Sequence, residues 1–357
     1  MTSKVAIVKF NGNEAESLTH ALRLIGGIDD LNTTERSVVV KVGVFSHRAD
    51  NHTSVSVVDA IINSFNKAPK IFLAESDNYQ GTGWERLQIW SKLFNERVMP
   101  FSLSEDANTR KVKLAGQEME LSHILFKPNI LVDTHILRSF EKGSILKNLF
   151  GCIPTKKKAK FHKTEILSPL LADIYETIGG IDLAVLDGTY LWQEAGGRPV
   201  RINTLLVGRD AVAVETVGAI IAGLKPEEMP VTQEFVKRGL GEGNIENIEI
   251  VGTSLESLKE EILTAKKTQK QTSAQTRAVG PQTWGGQTHH ALESLITEGF
   301  FKLPNKRTQE DVAKALEARG ISTKDKEQRI ASSLARRIKK GDLKAAKSPN
   351  GWVYWTE

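Results

Sequence analysis

The feature that most constrains the fold of this chain is a regular alternation of short apolar runs with segments of helical periodicity. The runs are predicted strands, several of them apolar on both faces as buried parallel strands are: 5–10, 38–45, 71–75, 130–136, 183–186, 205–207 and 248–251. Between them lie predicted helices, with apolar residues about every 3.6 positions: 14–25, 54–65, 83–94, 168–178, 210–222 and 254–263. This alternation predicts an α/β fold with an open, mostly parallel sheet covered by helices.

Composition divides the chain into three segments. Its 357 residues are enough for two domains of about 100–200 residues each. Residues 1–263 form the predicted α/β domain, in which segment 111–121 alternates around a glycine and predicts a hairpin added to the sheet. Residues 264–288 are basic, polar and without apolar periodicity, and are a predicted flexible linker. Residues 289–357 form a second, smaller domain.

The small domain has the pattern of three helices followed by two short strands. Thr308 begins the second helix as its cap, and residues 327–340 form the third. The segment resembles winged-helix domains and carries a net charge of +5, whereas residues 1–263 carry −4. Nucleic acid is one predicted partner, and a protein contact is the alternative. The predicted nucleic-acid contacts are Arg329, Arg336, Arg337, Lys339, Lys340, Lys344 and Lys347, while Trp352, Tyr354 and Trp355 are predicted to pack.

Several classes of protein are excluded by composition. No apolar run approaches the roughly 18 residues that cross a bilayer, so no membrane partner is expected, and the absence of an apolar leader predicts a cytoplasmic location. Cys152 is the only cysteine. This chain alone therefore provides neither an intrachain disulfide nor a cysteine-ligated iron–sulfur cluster, and Cys152 is predicted to be a buried thiol.

In an open parallel sheet, ligands bind at the carboxyl ends of the strands, so polar residues that follow predicted strands are the candidates for a site. After the second strand come His47, Asp50 and His52, a set able to hold a divalent metal although its spacing fits no zinc motif. Thr53 follows as a helix cap or ligand contact. The cofactor itself is not identified by these residues.

The segment after the fourth strand concentrates the most chemistry. Lys147 and Asn148 precede Gly151, the basic run 156–160 follows, and His162 ends the segment. Lys147 suits an anion clamp or a nucleophilic amine, with a solvated lysine as the alternative. His162 is a candidate general base or metal ligand, and Asp187, at the end of the next strand, completes the predicted catalytic set.

Three segments, 145–154, 187–188 and 205–215, together with His162, carry a resemblance to a known family. In these residues the chain resembles the domain-of-unknown-function 362 family over residues 1–255. The resemblance implies an α/β domain with no generally established reaction. Lys41 keeps the lysine of the family's Lys-Pro-Asn, but residues 138–140 read Arg-Ser-Phe where the family has Lys-Thr-His, and Glu215 replaces an aspartate. The predicted ligand-binding residues are Lys41, Thr53, Arg138, Asn148, Gly151, Asp210 and Glu215, with helix capping as the alternative role of Asp210.

Two classes of function follow from these residues. The first is an α/β protein, with or without enzymatic activity, that binds a small anionic or metal-containing ligand at the carboxyl ends of its strands. The second is a ligand sensor that binds nucleic acid through its C-terminal domain. The retained Lys147-Asn148 pair favours the first, and Phe140 in place of the family histidine favours the second.

Overall fold

The structure, a computed structural model, describes residues 2–48, 51–193, 199–278, 284–349 and 351–356, and only the backbone of 267–278 and 284–286. The prediction for Asp50 therefore lies outside the described residues. The chain divides into two compact units, Met1–Lys266 and Lys267–Glu357, which are described separately below.

The first unit is built on a large open sheet. Its described strands are β1 (Ser3–Lys9), β2 (Val38–Val42), β3 (Ile71–Glu75), β4 (Val98–Ser102), β5 (Thr109–Leu114), β6 (Gln117–Ser122), β7 (Ile130–Ser139), β8 (Leu183–Gln193), β9 (Val200–Gly208) and β10 (Ile248–Gly252). Eight of them pair in the order β10-β1-β9-β8-β7-β2-β3-β4. Strand β9 runs antiparallel to both neighbours, and the other pairs are parallel. The predicted α/β fold with an open, mostly parallel sheet is confirmed.

Helices cover both faces of this sheet. They are α1 (Glu14–Leu24), α2 (Val55–Ser64), α3 (Gly83–Leu87), α4 (Ile145–Asn148), α5 (Thr164–Ile178), α6 (Ala211–Ala222) and α7 (Pro230–Lys237), followed by α8 (Leu255–Ala278). Short 3-10 helices lie at Gln88–Leu93, His123–Leu125, Leu149–Cys152, Lys158–Phe161, Pro226–Glu228 and Ile245–Asn247. Cys152 is a buried free thiol, as predicted, and burial raises its pKa to about 12.

Strand β2 shows how the sheet positions a charge. All five of its residues are buried, because helices cover both faces. Val38, Val40 and Val42 belong to the core beneath α1 and α2, and Val39 belongs to the core on the opposite face. Side chains two positions apart in a strand point to the same face, so Lys41 lies on the same face as Val39. Its ammonium group is therefore placed among apolar neighbours.

The structure differs from the sequence predictions in four places between β4 and the end of α8. Strands β5 and β6 pair only with each other, so the prediction that this hairpin extends the large sheet is wrong. Its turn packs on α5 instead, where the Ala115 amide donates to Asp173 Oδ2 at 2.6 Å. Strand β4 and helix α7 were not predicted, because β4 contains a proline and α7 spans little more than two turns. Residues 264–278, predicted to lack regular structure, belong to helix α8.

The second unit contains α9 (Trp284–Thr297), β11 (Arg307–Thr308), α10 (Gln309–Glu317), α11 (Glu327–Lys340), β12 (Lys344–Ser348) and β13 (Gly351–Trp355). The strands form an antiparallel sheet in the order β11-β13-β12, which is compatible with a winged helix. Thr308 caps α10 in a reciprocal box with Asp311, as predicted. Tyr354 packs in the core as predicted, but Trp352 is 54% exposed, so the packing prediction for Trp352 is wrong. Among the described residues, no helix combines the length and the apolarity that crossing a membrane requires.

Candidate functional site

A buried ion pair lies at the carboxyl ends of β2 and β3. Lys41 is fully buried, and its Nζ donates to Glu75 Oε2 at 2.9 Å and to Asn148 Oδ1 at 3.2 Å. Glu75 also lies 3.1 Å from Arg86 Nη1 and accepts from the Ser76 amide. Burial opposes ionisation of Glu75, but Arg86, Lys41 and Lys158 together bring its pKa below the ordinary value. Glu75 is therefore a carboxylate, and Lys41 and Arg86 are its counterions.

Asp133 adds a second buried carboxyl group beside this pair. It lies next to Lys41 in the β2–β7 register, and its Oδ1 accepts from Asn148 Nδ2 at 2.8 Å. Burial raises the pKa of Asp133 to about 7, an effect that Lys41 and Asn148 only partly oppose. Asn148 thus connects Lys41 to Asp133, and this network of Lys41, Glu75, Asn148 and Asp133 is called the buried base below.

Helix α4, which carries Lys147 and Asn148, is held in place by Glu215. Glu215 is buried on α6, and its carboxylate accepts from the amides of Ser144 and Leu146 at 2.9 and 3.0 Å. These are orphan amides at the start of α4, so the carboxylate acts as its cap. The predicted ligand contact by Glu215 is instead a positioning role. Burial raises the pKa of Glu215, although its backbone hydrogen bonds oppose that shift.

A cavity of about 480 Å³ opens above the buried base. Small-molecule sites are usually on the order of 300–1,000 Å³, so this volume suits one small ligand. Five of the predicted ligand-binding and catalytic residues line this cavity: Arg138, Lys147, Asn148, Gly151 and His162. Glu75 and Asn148 form part of the floor and connect the cavity to the buried base.

Lys147 has an unusual environment in this wall. Its Nζ lies 3.8 Å from the centre of the Phe150 ring, and no hydrogen bond or ion pair joins it to any residue that the structure describes. Burial, followed by repulsion from Lys158, Arg138, Lys142 and Lys41, lowers the pKa of Lys147 well below its ordinary value. The ammonium form of Lys147 is therefore destabilised in this wall.

His162 packs edge-on against Phe150, with ring centres 5.0 Å apart. Loss of solvation, followed by repulsion from Lys147 and Lys142, lowers the pKa of His162 to about 4. The imidazole is consequently neutral at pH 7, as a general base or a metal ligand must be.

The basic run 156–160 divides between cavity and solvent. Lys156 and Lys158 line the cavity, but only Lys158 is buried. Lys156 is exposed and lies 3.7 Å from Asp77 Oδ2, and Lys157 and Lys160 are exposed outside the cavity wall. Lys158 is buried and its Nζ donates to Ser76 Oγ at 2.6 Å. Burial lowers the pKa of Lys158 to about 7, with Glu75 opposing and Lys41 and Arg86 reinforcing the shift. Lys158 is thus a cavity residue that the sequence pointed to only as one member of a charge run.

Three predicted residues lie away from the cavity and serve the scaffold. Asp187 is fully buried. Its Oδ2 accepts from the Ser54 amide, a contact that caps the start of α2, and its Oδ1 accepts from the Thr189 amide. Thr53 is buried and donates to the Thr134 carbonyl at 3.2 Å. Asp210 caps α6 through the amides of Val212 and Ala213, the alternative role that the sequence allowed.

The predicted metal residues do not converge in the described part of the chain. His47 Nε2 lies 3.3 Å from the Glu85 carbonyl, while His52 is buried edge-on against Trp90. No group of three or more His, Cys, Asp or Glu side chains suited to a metal ion occurs among the described residues. A metal at Asp50 and its neighbours stays a prediction.

Sequence reasoning missed several residues of the cavity and its base. Glu75, Arg86, His135 and Trp192 all line the cavity, and Asp133 lies beneath it. The available signal was an ionisable residue within an otherwise apolar strand, which Asp133 and His135 show in β7. The pKa of His135 falls to about 3 through burial and repulsion from Arg138, so its ring is neutral. A cavity histidine is therefore present, five positions before Phe140.

The predicted nucleic-acid residues fall into two groups in the second unit. Arg329, Arg336, Lys339 and Lys340 are exposed on α11, and Lys344 and Lys347 are exposed on β12. Arg337 is instead buried, and its guanidinium contacts Asp342 Oδ2 at 2.9 Å and the His289 carbonyl at 3.1 Å. Arg337 thus stabilises the unit internally, because it occupies the inward side of α11.

The fold and the cavity define an α/β protein with a cation-rich cavity at the carboxyl edge of an open sheet. The model of a family described as domain of unknown function (DUF362) matches residues 38–220, just over half of the chain. The protein belongs to that family, as the motifs around Lys147 and Asp210 predicted. Every cavity and buried-base residue named above lies within the matched range. No curated protein matches the chain.

Proposed function

We propose that the first unit binds a small anionic ligand in the cavity above the buried base, with Lys147 as its main charge contact. The observation that supports this most directly is the partly buried Lys147 ammonium, which has only an aromatic face as a partner among the described residues. A buried charge without a counterion is costly, and a bound anion would remove that cost.

The other charges of the wall favour the same ligand. Lys156 and Lys158 also line the cavity, whereas Glu75 is a carboxylate already paired with Lys41 and Arg86. Burial, and then repulsion from neighbouring cationic side chains, lowers the pKa of Lys147 and of Lys158. An anion near Lys147 would raise both pKa values again, so binding is expected to take up protons near neutral pH.

The same groups are suited to acid–base chemistry on a bound ligand. Lys158, which lines the cavity and has a pKa of about 7, is the residue best matched to proton transfer at neutral pH. His162, with a pKa of about 4, would act only as a proton acceptor. Catalysis is thus a second step of this proposal, and ligand binding is the first.

Thermal unfolding of the full chain in inorganic phosphate, compared with potassium chloride of equal ionic strength, tests anion binding. A ligand that binds only the folded protein raises the Tm in proportion to its affinity. Phosphate should stabilise the protein, and Lys147→Met should weaken phosphate binding by about tenfold, because the side chain keeps its length but loses the charge.

Lys237→Met is the matched control, since Lys237 is exposed on α7 and outside the cavity wall. That variant should respond to phosphate as the parent does. Equal phosphate responses from Lys147→Met and the parent would exclude Lys147 as the anion contact.

We propose nucleic-acid binding by the second unit as a second function, which a specific surface favours. Arg329, Arg336 and Lys340 recur at intervals of seven and four residues along exposed positions of α11, with small Ser332 and Ser333 between them. No carboxylate interrupts α11 from Arg329 to Lys340. A helix with this surface can approach phosphates closely.

Fluorescence anisotropy of a labelled DNA duplex with the full chain tests this second function. Binding should weaken as salt rises, and Arg336→Gln should reduce the slope of log affinity against log salt by about one phosphate contact. Arg319→Gln is the control, because Arg319 pairs with Glu298 away from α11. If the full chain fails to bind the duplex even at low salt, the second function is wrong.

A further inference from the structure

A ring of aromatic side chains surrounds the cationic part of the cavity. Trp192, Phe45 and Phe140 all line the cavity, and their ring centres lie 4.2, 5.4 and 5.5 Å from the Arg138 guanidinium carbon. Tyr79, which is 75% exposed, lines the same cavity. These four aromatic residues are called the aromatic rim below.

The aromatic rim is only partly covered by the protein itself. Phe45 is 39% exposed, and both Phe140 and Trp192 are half-buried. Large aromatic side chains normally bury their faces in the core, so several partly exposed rings around one cavity leave apolar area for a ligand. Phe150, by contrast, is buried and contacts Lys147 deeper in the wall.

Strand pairing holds Trp192 of the aromatic rim beside Arg138. Arg138 on β7 and Trp192 on β8 are direct neighbours in the strand register, beyond the irregularity that follows Ile136. The Arg138 guanidinium carbon lies over the Trp192 ring, 4.2 Å from the ring centre, and backbone pairing fixes the position of this cation–aromatic wall. Flat walls of this kind recognise flat ligands by offset stacking, and guanidinium planes stack in the same way.

We propose that the ligand is a planar aromatic or heteroaromatic ring bearing an anionic group, with the ring at the aromatic rim and the anion at Lys147. This inference rests on the anion-binding function proposed above and adds the class of ligand. The ring gains stacking energy from Trp192 and its neighbours, while the anion supplies the counterion that Lys147 lacks among the described residues. A ring without an anion would leave Lys147 without a counterion, and an anion without a ring would leave the aromatic rim uncovered.

Calorimetric titration of the full chain with three probes tests the class of ligand: phenyl phosphate, cyclohexyl phosphate and inorganic phosphate. The first two carry similar apolar area and the same anion but differ in planarity. Phenyl phosphate should bind at least about fivefold more tightly than cyclohexyl phosphate, in line with the energy of one aromatic stacking contact. Trp192→Leu should reduce that preference to below about twofold and leave inorganic phosphate binding unchanged.

Trp84→Leu is the matched control, because Trp84 is an exposed tryptophan outside the cavity wall. Phe140→Leu provides a second rim variant should Trp192→Leu fail to fold. Equal affinities for phenyl and cyclohexyl phosphate, with Lys147-dependent binding of both, would overturn the planar ligand and leave the anion site standing. If none of the three probes binds, the proposed anion-binding function itself fails.

Discussion

Basic side chains serve opposite purposes in the two units of this protein. In the first unit, Lys41 is fully buried and its ammonium is held by Glu75 and Asn148. In the second unit, Arg329 and Arg336 are exposed along one side of α11. The first arrangement pays a desolvation cost that only neighbouring groups can offset, whereas the second is solvated and screened by salt.

The difference shows why net charge was a poor guide to the candidate site. The unit with the negative balance contains the cation-rich cavity, because a few buried lysines outweigh many solvated carboxylates in their effect on a ligand. The positive balance of the second unit describes only its surface. Burial, which decides how strongly a charge acts, is a property of the fold.

The largest effect is expected at the buried pair, from Lys41→Met. Removing one partner leaves Glu75 in the core with Arg86 as its remaining close counterion, so the free energy of unfolding should fall by about 3–5 kcal/mol. Urea denaturation measures the loss. Lys4→Met breaks an exposed pair with Glu249 and should cost no more than about 1 kcal/mol. Equal losses for the two variants would remove the distinction between buried and exposed charge.

The second expectation concerns how stability depends on pH through Asp133. Its pKa is about 7 in the folded protein against an ordinary value of 3.8, so the folded state holds a proton that the unfolded state releases. The contribution of Asp133 to stability is therefore greatest below about pH 4 and falls as pH rises to about 7, by up to about 4 kcal/mol. Asp133→Asn removes this dependence and keeps an oxygen that can accept from Asn148.

Urea denaturation of the parent and of Asp133→Asn, from mildly acidic to mildly alkaline pH, measures this contribution. The difference between the two proteins isolates Asp133 from every other titrating group. It should shift in favour of the variant as pH rises. A difference that stays constant across this range would mean that Asp133 is ionised in the folded protein at all these pH values.

A smaller effect separates two adjacent arginines on α11. Arg337→Met should destabilise the second unit by about 2–3 kcal/mol, because the buried guanidinium holds Asp342 and the His289 carbonyl. Arg336→Met should change stability by less than about 0.5 kcal/mol. Hydrogen exchange of the α11 amides in the full chain measures both. If Arg336→Met speeds exchange as much as Arg337→Met, the division between exposed and buried arginines on this helix is wrong.

The sheet could be predicted from the sequence because its strands bury both faces and are separated by amphipathic helices. The motif around Lys147 was predictable as well, since residue types and spacing are local properties. Register and layering are not local, and they decide that Asp133 lies beside Lys41. Register and layering also decide that Asp187 caps α2, whereas Lys147 lines the cavity.

The missed residues share a physical reason. Trp192 reaches the cavity because β7 and β8 continue past an irregularity in their pairing, and single-sequence patterns carry no signal for that extension. Glu75 and Asp133, unlike Trp192, do leave a signal in the sequence. Each is a carboxyl group at a buried strand position, where an apolar residue is expected. A buried acid in an apolar run is visible in the sequence, and its partner is not.

Gly151 gives the cavity a mechanical property beyond its shape. A side chain at this position would collide with Lys41 Nζ and lie 2.8 Å from Glu75 Oε1, so the loop backbone rests directly on the ion pair. The backbone at Gly151 therefore cannot approach the sheet more closely without separating that pair, and the pair cannot move toward the cavity without displacing this backbone. The cavity wall and the buried ion pair are thus mechanically coupled at Gly151. Even one added methyl group at this position would disturb both.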